Sequence, residues 1–247
     1  MPESSQVLIV TGGSRGIGAA VAAGAARRGY AVAVNYKDNR ARADAVVAEI
    51  DKAGGTAVAI AGNVAHEADV DHIFGEADRA LGHVTALVNS AGILGPIGRL
   101  SDAPAVALEE VFNVNVIGTL LCSGAAVKRM SSKHGGSGGV IVNLSSTAAV
   151  FGGGGEVIPY AASKGAVETL TIGLAREVAM EGIRVNCVRP GMIDTEMQPP
   201  GRLERAKAAL PMHRPGTAQE VANAILWLLS PEASYVSGAI LGVSGAR

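Results

Sequence analysis

Val7-Leu8-Ile9-Val10-Thr11-Gly12-Gly13-Ser14-Arg15-Gly16-Ile17-Gly18 is the stretch whose reading decides the fold. A run of apolar, mostly β-branched residues leads straight into a glycine-rich turn. An Ala-rich segment, read as a helix over 17–28, follows it. Apolar residues without polar alternation predict a strand buried on both faces. A strand that passes to a helix through glycines opens a βαβ unit. Gly12 permits the tight turn, and Gly16 and Gly18 remove side chains that would block a ligand or the helix–strand contact. Free N–H groups and the helix dipole at this point favour a phosphate charge. Gly12, Ser14, Arg15, Gly16, Ile17 and Gly18 are therefore candidates to surround a dinucleotide pyrophosphate. One more residue separates the first glycine from the later pair than in the usual three-glycine spacing.

The alternation continues along the chain. Strands are expected at Ala31–Val34, Thr56–Ile60, Val84–Val88, Val140–Asn143, Arg184–Val188 and Ala239–Leu241. Helices are expected over 40–52, 67–80, 104–130, 159–180 and 218–229, several of them stopped by glycine (Gly29, Gly54, Gly82, Gly182). Apolar strands separated by helices predict an α/β fold, a doubly wound parallel sheet of about seven strands covered on both faces (the Rossmann arrangement). Residues 1–247 read as one dinucleotide-binding domain without linker or repeat. Only about 194–216, rich in Pro and Gly, lacks periodicity, and an excursion of this length in such a fold reads as a substrate lid.

Composition narrows the function classes. The net charge of −1 offers no general attraction for nucleic acid or anionic lipid, and 3% aromatic residues do not make a base-stacking surface. The two cysteines, Cys122 and Cys187, lack metal-ligand spacing, and the five histidines show none either, so no metal is expected. Met1 to Ser5 is short and polar, no charged leader precedes an apolar stretch, and no apolar run is read as a membrane span. The expectation is a cytoplasmic protein with neither nucleic-acid nor membrane partners.

A second motif, Tyr160-Ala161-Ala162-Ser163-Lys164, places a phenol and an ammonium on one helix face. A nearby ammonium favours the phenolate and would bring the tyrosine below its usual value of about 10. Tyr160 could then give a proton to a carbonyl oxygen or remove one from an alcohol, with Ser146 binding the same oxygen. The residues after the second strand bear on the choice of dinucleotide. An acid there would accept the ribose 2′-hydroxyl of NAD, but the chain has Asn35, Tyr36 and Lys37. Arg15 can offer its guanidinium to a 2′-phosphate. Both features favour NADP(H), with NAD(H) left open.

With these residues the chain closely resembles the short-chain dehydrogenase/reductase superfamily over essentially its whole length. The glycine motif matches Thr11 to Gly18, and the central-strand motif matches Asn89-Ser90-Ala91-Gly92, where the family usually has a second asparagine in place of Ser90. The resemblance implies that Asn115 kinks its helix and joins a proton relay to Lys164, and that Ser146, Tyr160 and Lys164 are catalytic, with Ser145 as the alternative serine. It implies that Lys164 grips the nicotinamide ribose and that Asn89, Ala91 and Gly92 lie along the cofactor. Asn63 and Val64, where the family has Asp-Val, would stand beside the adenine. The motif from Pro190 and Gly191 through Ile193 to Thr195 would hold the carboxamide. It further implies hydride transfer between a ketone and a secondary alcohol, a small-molecule carbonyl or alcohol substrate, and a homotetramer. Two other readings stay open. One is a 3-oxoacyl-carrier-protein reductase, which would need a basic patch such as Lys128, Arg129, Arg202, Arg205 and Arg214. The other is a non-catalytic nucleotide-binding regulator or scaffold.

Overall fold

A computed structural model describes residues 6–247. Met1 to Ser5, read above as carrying no leader, lie outside the described residues. Strands β1 (Val7–Thr11), β2 (Ala31–Tyr36), β3 (Thr56–Ala61), β4 (Val84–Asn89), β5 (Gly139–Leu144) and β6 (Ile183–Pro190) alternate with helices. These are α1 (Gly16–Ala26), α2 (Arg40–Lys52), α3 (Glu67–Leu81), α4 (Ala105–Phe112), α5 (Gly118–Met130), α6 (Ala148–Phe151) and α7 (Ile158–Glu177). Then come β7 (Ile193–Asp194), α8 (Arg202–Lys207), β8 (Gly216–Thr217), α9 (Ala218–Leu229) and β9 (Ile240–Val243). Seven strands form one parallel sheet in the order β3-β2-β1-β4-β5-β6-β9, as the apolar runs predict.

The strands lack polar alternation because both faces are covered. Leu8 and Val10 of β1 pack into the core beneath α1, α2 and α9, while Val7 and Ile9 pack into the opposite core with α3 and α5. Polar side chains inside the sheet are fully paired. Asn89 donates to Asn143 at 2.9 Å and to Ser123 at 3.1 Å, and Asn143 donates to Thr171 at 2.9 Å. Asn89 thus braces β4 against β5.

Helix ends follow local chemistry. The Asn39 side chain accepts from Arg42 N at the start of α2, Thr217 and Glu220 form a capping box on α9, and Gly82 ends α3 at φ 100°. The helix expected over 104–130 is interrupted by a π turn at Asn113–Ile117, centred on buried Asn115. The continuous segment Ala105–Met130 is long and apolar enough to cross a membrane by composition, contrary to the sequence reading, yet here it lies along β4, α3 and α7. The excursion over 194–216 contains α8, and the pairing of Ile193 with Gly216 and Asp194 with Thr217 closes it at its base.

Gly18 belongs to this framework. A Cβ on it would meet Gly12 O at 2.4 Å and Gly13 Cα at 3.0 Å, both backbone atoms that cannot rotate away. Alanine gains up to about 1 kcal/mol of helix propensity there, but overpacking costs about 1–3 kcal/mol, and the clash wins. Gly18→Ala should lower unfolding free energy by about 1–2 kcal/mol, read from urea unfolding at fixed protein concentration. An unchanged or raised midpoint would contradict this packing.

Candidate active site

Consecutive strands leave β1 in opposite directions, toward β2 and toward β4, and a crevice opens where they diverge. A cleft of about 900 Å³ occupies it, a size suited to a cofactor-length ligand. At one end lie Gly12, Ser14, Arg15, Gly16 and Ile17, with Asn35, Tyr36, Asn63 and Val64 beside them. Ala91 and Gly92 form its middle, and Pro190, Gly191, Ile193 and Thr195 its far wall. Ser146, Tyr160 and Lys164 line the opposite end. The sequence reading names Lys37 and Arg202 but does not assign Asn39, Arg42 and Glu196 to the first end, or Phe151, Glu156 and Arg247 to the other. Those of the first end follow β2 or Thr195 directly, so their place in the chain carried a signal. Those of the second end stand on or near the short helices α6 and α8 or at the last residue, where no periodicity is long enough to read.

Two predicted cofactor residues do not reach the cleft. Asn89 is buried in the sheet, for the bracing reason given above, and Gly18 faces the glycine turn. Asn35 borders the cleft, but its side chain is turned inward. Its Oδ1 accepts from Gly12 N at 3.3 Å, and its Nδ2 donates to Gly62 O at 3.0 Å and Ile60 O at 3.3 Å. Asn35 therefore shapes the turn, and the cationic side chains that line this end are Arg15, Lys37 and Arg42, with Arg42 paired to Glu196. His213 lies outside the cleft lining, with a left-handed φ of 52°.

The glycine turn suits a pyrophosphate. Helix α1 begins without a side-chain cap and without an acid in its first turn, so its first N–H groups have no intrahelical acceptor. Gly12 sits at φ 61°, and a Cβ there would stand 2.8 Å from Ala91 Cα. Only glycine lets the turn come this close to the end of β4.

At the other end the two serines separate cleanly. Ser145 is buried and spent: its hydroxyl donates to Glu168 Oε1 at 2.7 Å and contacts Lys164 O at 3.1 Å. Desolvation raises the Glu168 carboxyl, but hydrogen bonds from Arg189 and Ser145 outweigh it and leave the group below its ordinary value. Ser146 faces the cleft, where its hydroxyl accepts from Ala148 N at 3.2 Å. Asn115 stands behind Lys164, outside the cleft lining. It exchanges hydrogen bonds with the Ile93 backbone at 2.9 and 3.0 Å and donates to Ser163 at 2.9 Å.

The charges do not behave as the YxxxK spacing alone suggests. Burial raises the Tyr160 phenol above its ordinary 10.0, against the opposing effects of Ser146 and the Arg202 charge. Lys164 does not offset this, because its Nζ donates to Leu144 O at 2.7 Å and lies 5.7 Å from the phenol ring centre. Burial in turn brings the Lys164 amine down from 10.5 to about 8. The phenol at neutral pH is protonated and ready to donate.

Residues 12–245 match the family model described as enoyl-(acyl carrier protein) reductase. The chain is 49% identical over 245 residues to "Uncharacterized oxidoreductase YgfF" of Escherichia coli, covering 98% of this chain and 99% of the relative. It is 39% identical over 240 residues to a human "3-oxoacyl-[acyl-carrier-protein] reductase", covering 97% of each. A short-chain dehydrogenase from Burkholderia cenocepacia, solved in complex with NADP, superposes with a TM-score of 0.90 at 36% identity, covering 98% of this chain and 97% of that one.

The Lys164 amine has a consequence for stability. Its value is about 8 in the fold against an ordinary 10.5. Between these the unfolded chain binds the proton and the native chain does not, so stability rises with pH through this window. Lys164→Met lacks the effect. The unfolding free energy of the parent minus that of Lys164→Met should climb by roughly 3 kcal/mol across the window. A difference that does not change with pH would contradict the burial of this ammonium.

Proposed function

The chain belongs to the short-chain dehydrogenase/reductase family and is a nicotinamide-dependent oxidoreductase, and from this premise we propose that it interconverts a ketone and a secondary alcohol using NADP(H). The observation that carries the reading is the convergence of Ser146, Tyr160 and Lys164 on one end of a cleft whose other end is the glycine turn. The nicotinamide, when bound, supplies or accepts the hydride. The chain's own groups do the rest. Ser146 donates a hydrogen bond to the substrate oxygen and fixes its position. Tyr160 gives that oxygen its proton in reduction and removes it in oxidation. Lys164 binds ribose hydroxyls and, once its ammonium is near the phenol, stabilises the phenolate. The segment 194–216 serves as the lid.

Arg15, Lys37 and Arg42 support the NADP(H) preference, since all three line the cleft at the end that holds the glycine turn. The carrier-protein reading is less well supported by the surface. Arg129 is paired with Asp78, Arg202 with Glu156 and Arg214 with Glu220, so the proposed basic patch is largely neutralised. Exposed Val106, Phe112, Ile117 and Leu120 along α4, the π turn and α5 support self-association as a homotetramer.

Nicotinamide fluorescence titration should show tighter binding of NADPH than of NADH, with Arg15→Ala narrowing the gap. Equal or stronger NADH binding would sink the preference. Tyr160→Phe should keep cofactor affinity and lose about 100-fold or more in turnover, whereas Ser146→Ala should lower turnover alone. Near-normal turnover in Tyr160→Phe would refute the proton role. Burial raises the phenol and the Lys164 ammonium opposes this in the cofactor-bound state, so alcohol oxidation should accelerate as pH rises above neutral, while reduction proceeds at neutral pH. An oxidation rate already level at neutral pH would contradict this. Light scattering at micromolar concentration should give four subunits, and a monomer would overturn the assembly.

A further inference from the structure

Glu196 is far from Arg42 in sequence but touches it in space. Arg42 Nη1 donates to Glu196 Oε2 across 154 positions of chain. Arg42 stands in the first turn of α2, just beyond β2, and Glu196 follows Thr195 at the start of the 194–216 excursion. Both side chains line the cleft at its adenosine end. The hydrogen bond from Arg42, together with the charges of Arg42 and Arg15, holds the Glu196 carboxyl below its ordinary value against desolvation. Lys37 is differently placed, with its ammonium 3.9 Å from neighbouring Asp38. Glu196 is therefore the acid that reaches between two of the cleft's cationic arms.

The pair has little to offer the fold. Its side chains are 44% and 58% exposed, and such ion pairs contribute about 0–1 kcal/mol. What it does is occupy a guanidinium. We infer that Glu196 is an internal competitor of the cofactor's 2′-phosphate, holding Arg42 until a 2′-phosphorylated adenine dinucleotide takes the guanidinium from it. The inference rests on the NADP(H) reading above. A phosphate of nearly two charges, with three acceptor oxygens, matches the guanidinium fork better than one carboxylate oxygen does. A dinucleotide with a ribose hydroxyl at that position brings no charge to displace Glu196. Glu196 thus lowers the affinity for NADPH alone and keeps discrimination below what Arg15 and Arg42 would give without it.

Titrating NADPH and NADH into the parent, Glu196→Gln, Arg42→Met and the double variant tests this. Glu196→Gln should bind NADPH roughly two- to fivefold more tightly, the range an exposed ion pair spans, and NADH as before. Arg42→Met should weaken NADPH and cancel the gain in the double variant. Two results would overturn the inference while leaving the NADP(H) reading intact. One is Glu196→Gln weakening both dinucleotides, which would make Glu196 a clasp over any bound cofactor. The other is an unchanged ratio of the two affinities. A parent that binds NADH as well as NADPH, or binds neither, defeats the NADP(H) reading and this inference with it.

Discussion

The Thr11 hydroxyl accepts the backbone N–H groups of Ser90 and Ala91, each at 3.1 Å, and on this joint the cleft depends. It fixes the end of β1 to the end of β4 at the point where the chain's path reverses across the sheet. Gly12 then passes so close to Ala91 that a Cβ would have no room. From the other side Asn35 holds the same turn, its side chain accepting from Gly12 N at 3.3 Å and its carbonyl from Gly13 N at 2.9 Å. The ends of three strands thus set the position of the glycine turn, and the uncapped start of α1 gives it its polarity.

A second set of buried contacts positions the reactive end. Asn115 bonds the Ile93 backbone on one side and Ser163 on the other, and Ser163 donates to Tyr160 O at 2.7 Å. The π turn around Asn115 turns its side chain toward α7. Lys164 is held by Leu144 O, at the end of the strand that delivers Ser145 and Ser146. The phenol, the ammonium and the serine hydroxyl are therefore located by β5, the π turn and α7 together. The protein bears the cost of a buried ammonium and a raised phenol at this one place.

Most of the fold was legible because its signals are local. Continuous apolar runs gave the parallel strands, and α2 and α9 cover the residues expected for them, 40–52 and 218–229. The residues of the glycine turn and of the YxxxK helix were legible for the same reason. What could not be read depends on how distant segments meet. Asn35 stands where an acid would meet the ribose of NAD, but burial turns its amide toward Ile60 O and Gly62 O. Asn89 looked like a cofactor residue until its three-way pairing with Asn143 and Ser123 placed it in the sheet. The contact of Arg42 with Glu196 joins residues with no pattern between them. The lowered phenol expected from Tyr160 and Lys164 failed because spacing gives proximity but not desolvation.

The central claim is that this cleft brings a carbonyl carbon and a nicotinamide together for direct hydride transfer. The most direct measurement uses NADPH carrying deuterium at C4 of the nicotinamide, with mass spectrometry of the alcohol formed from an accepted ketone. One deuterium, bound to the carbinol carbon, is expected, with the hydroxyl hydrogen drawn from solvent through Tyr160. An alcohol whose carbinol hydrogen comes from solvent, with the deuterium retained by the dinucleotide, would contradict it.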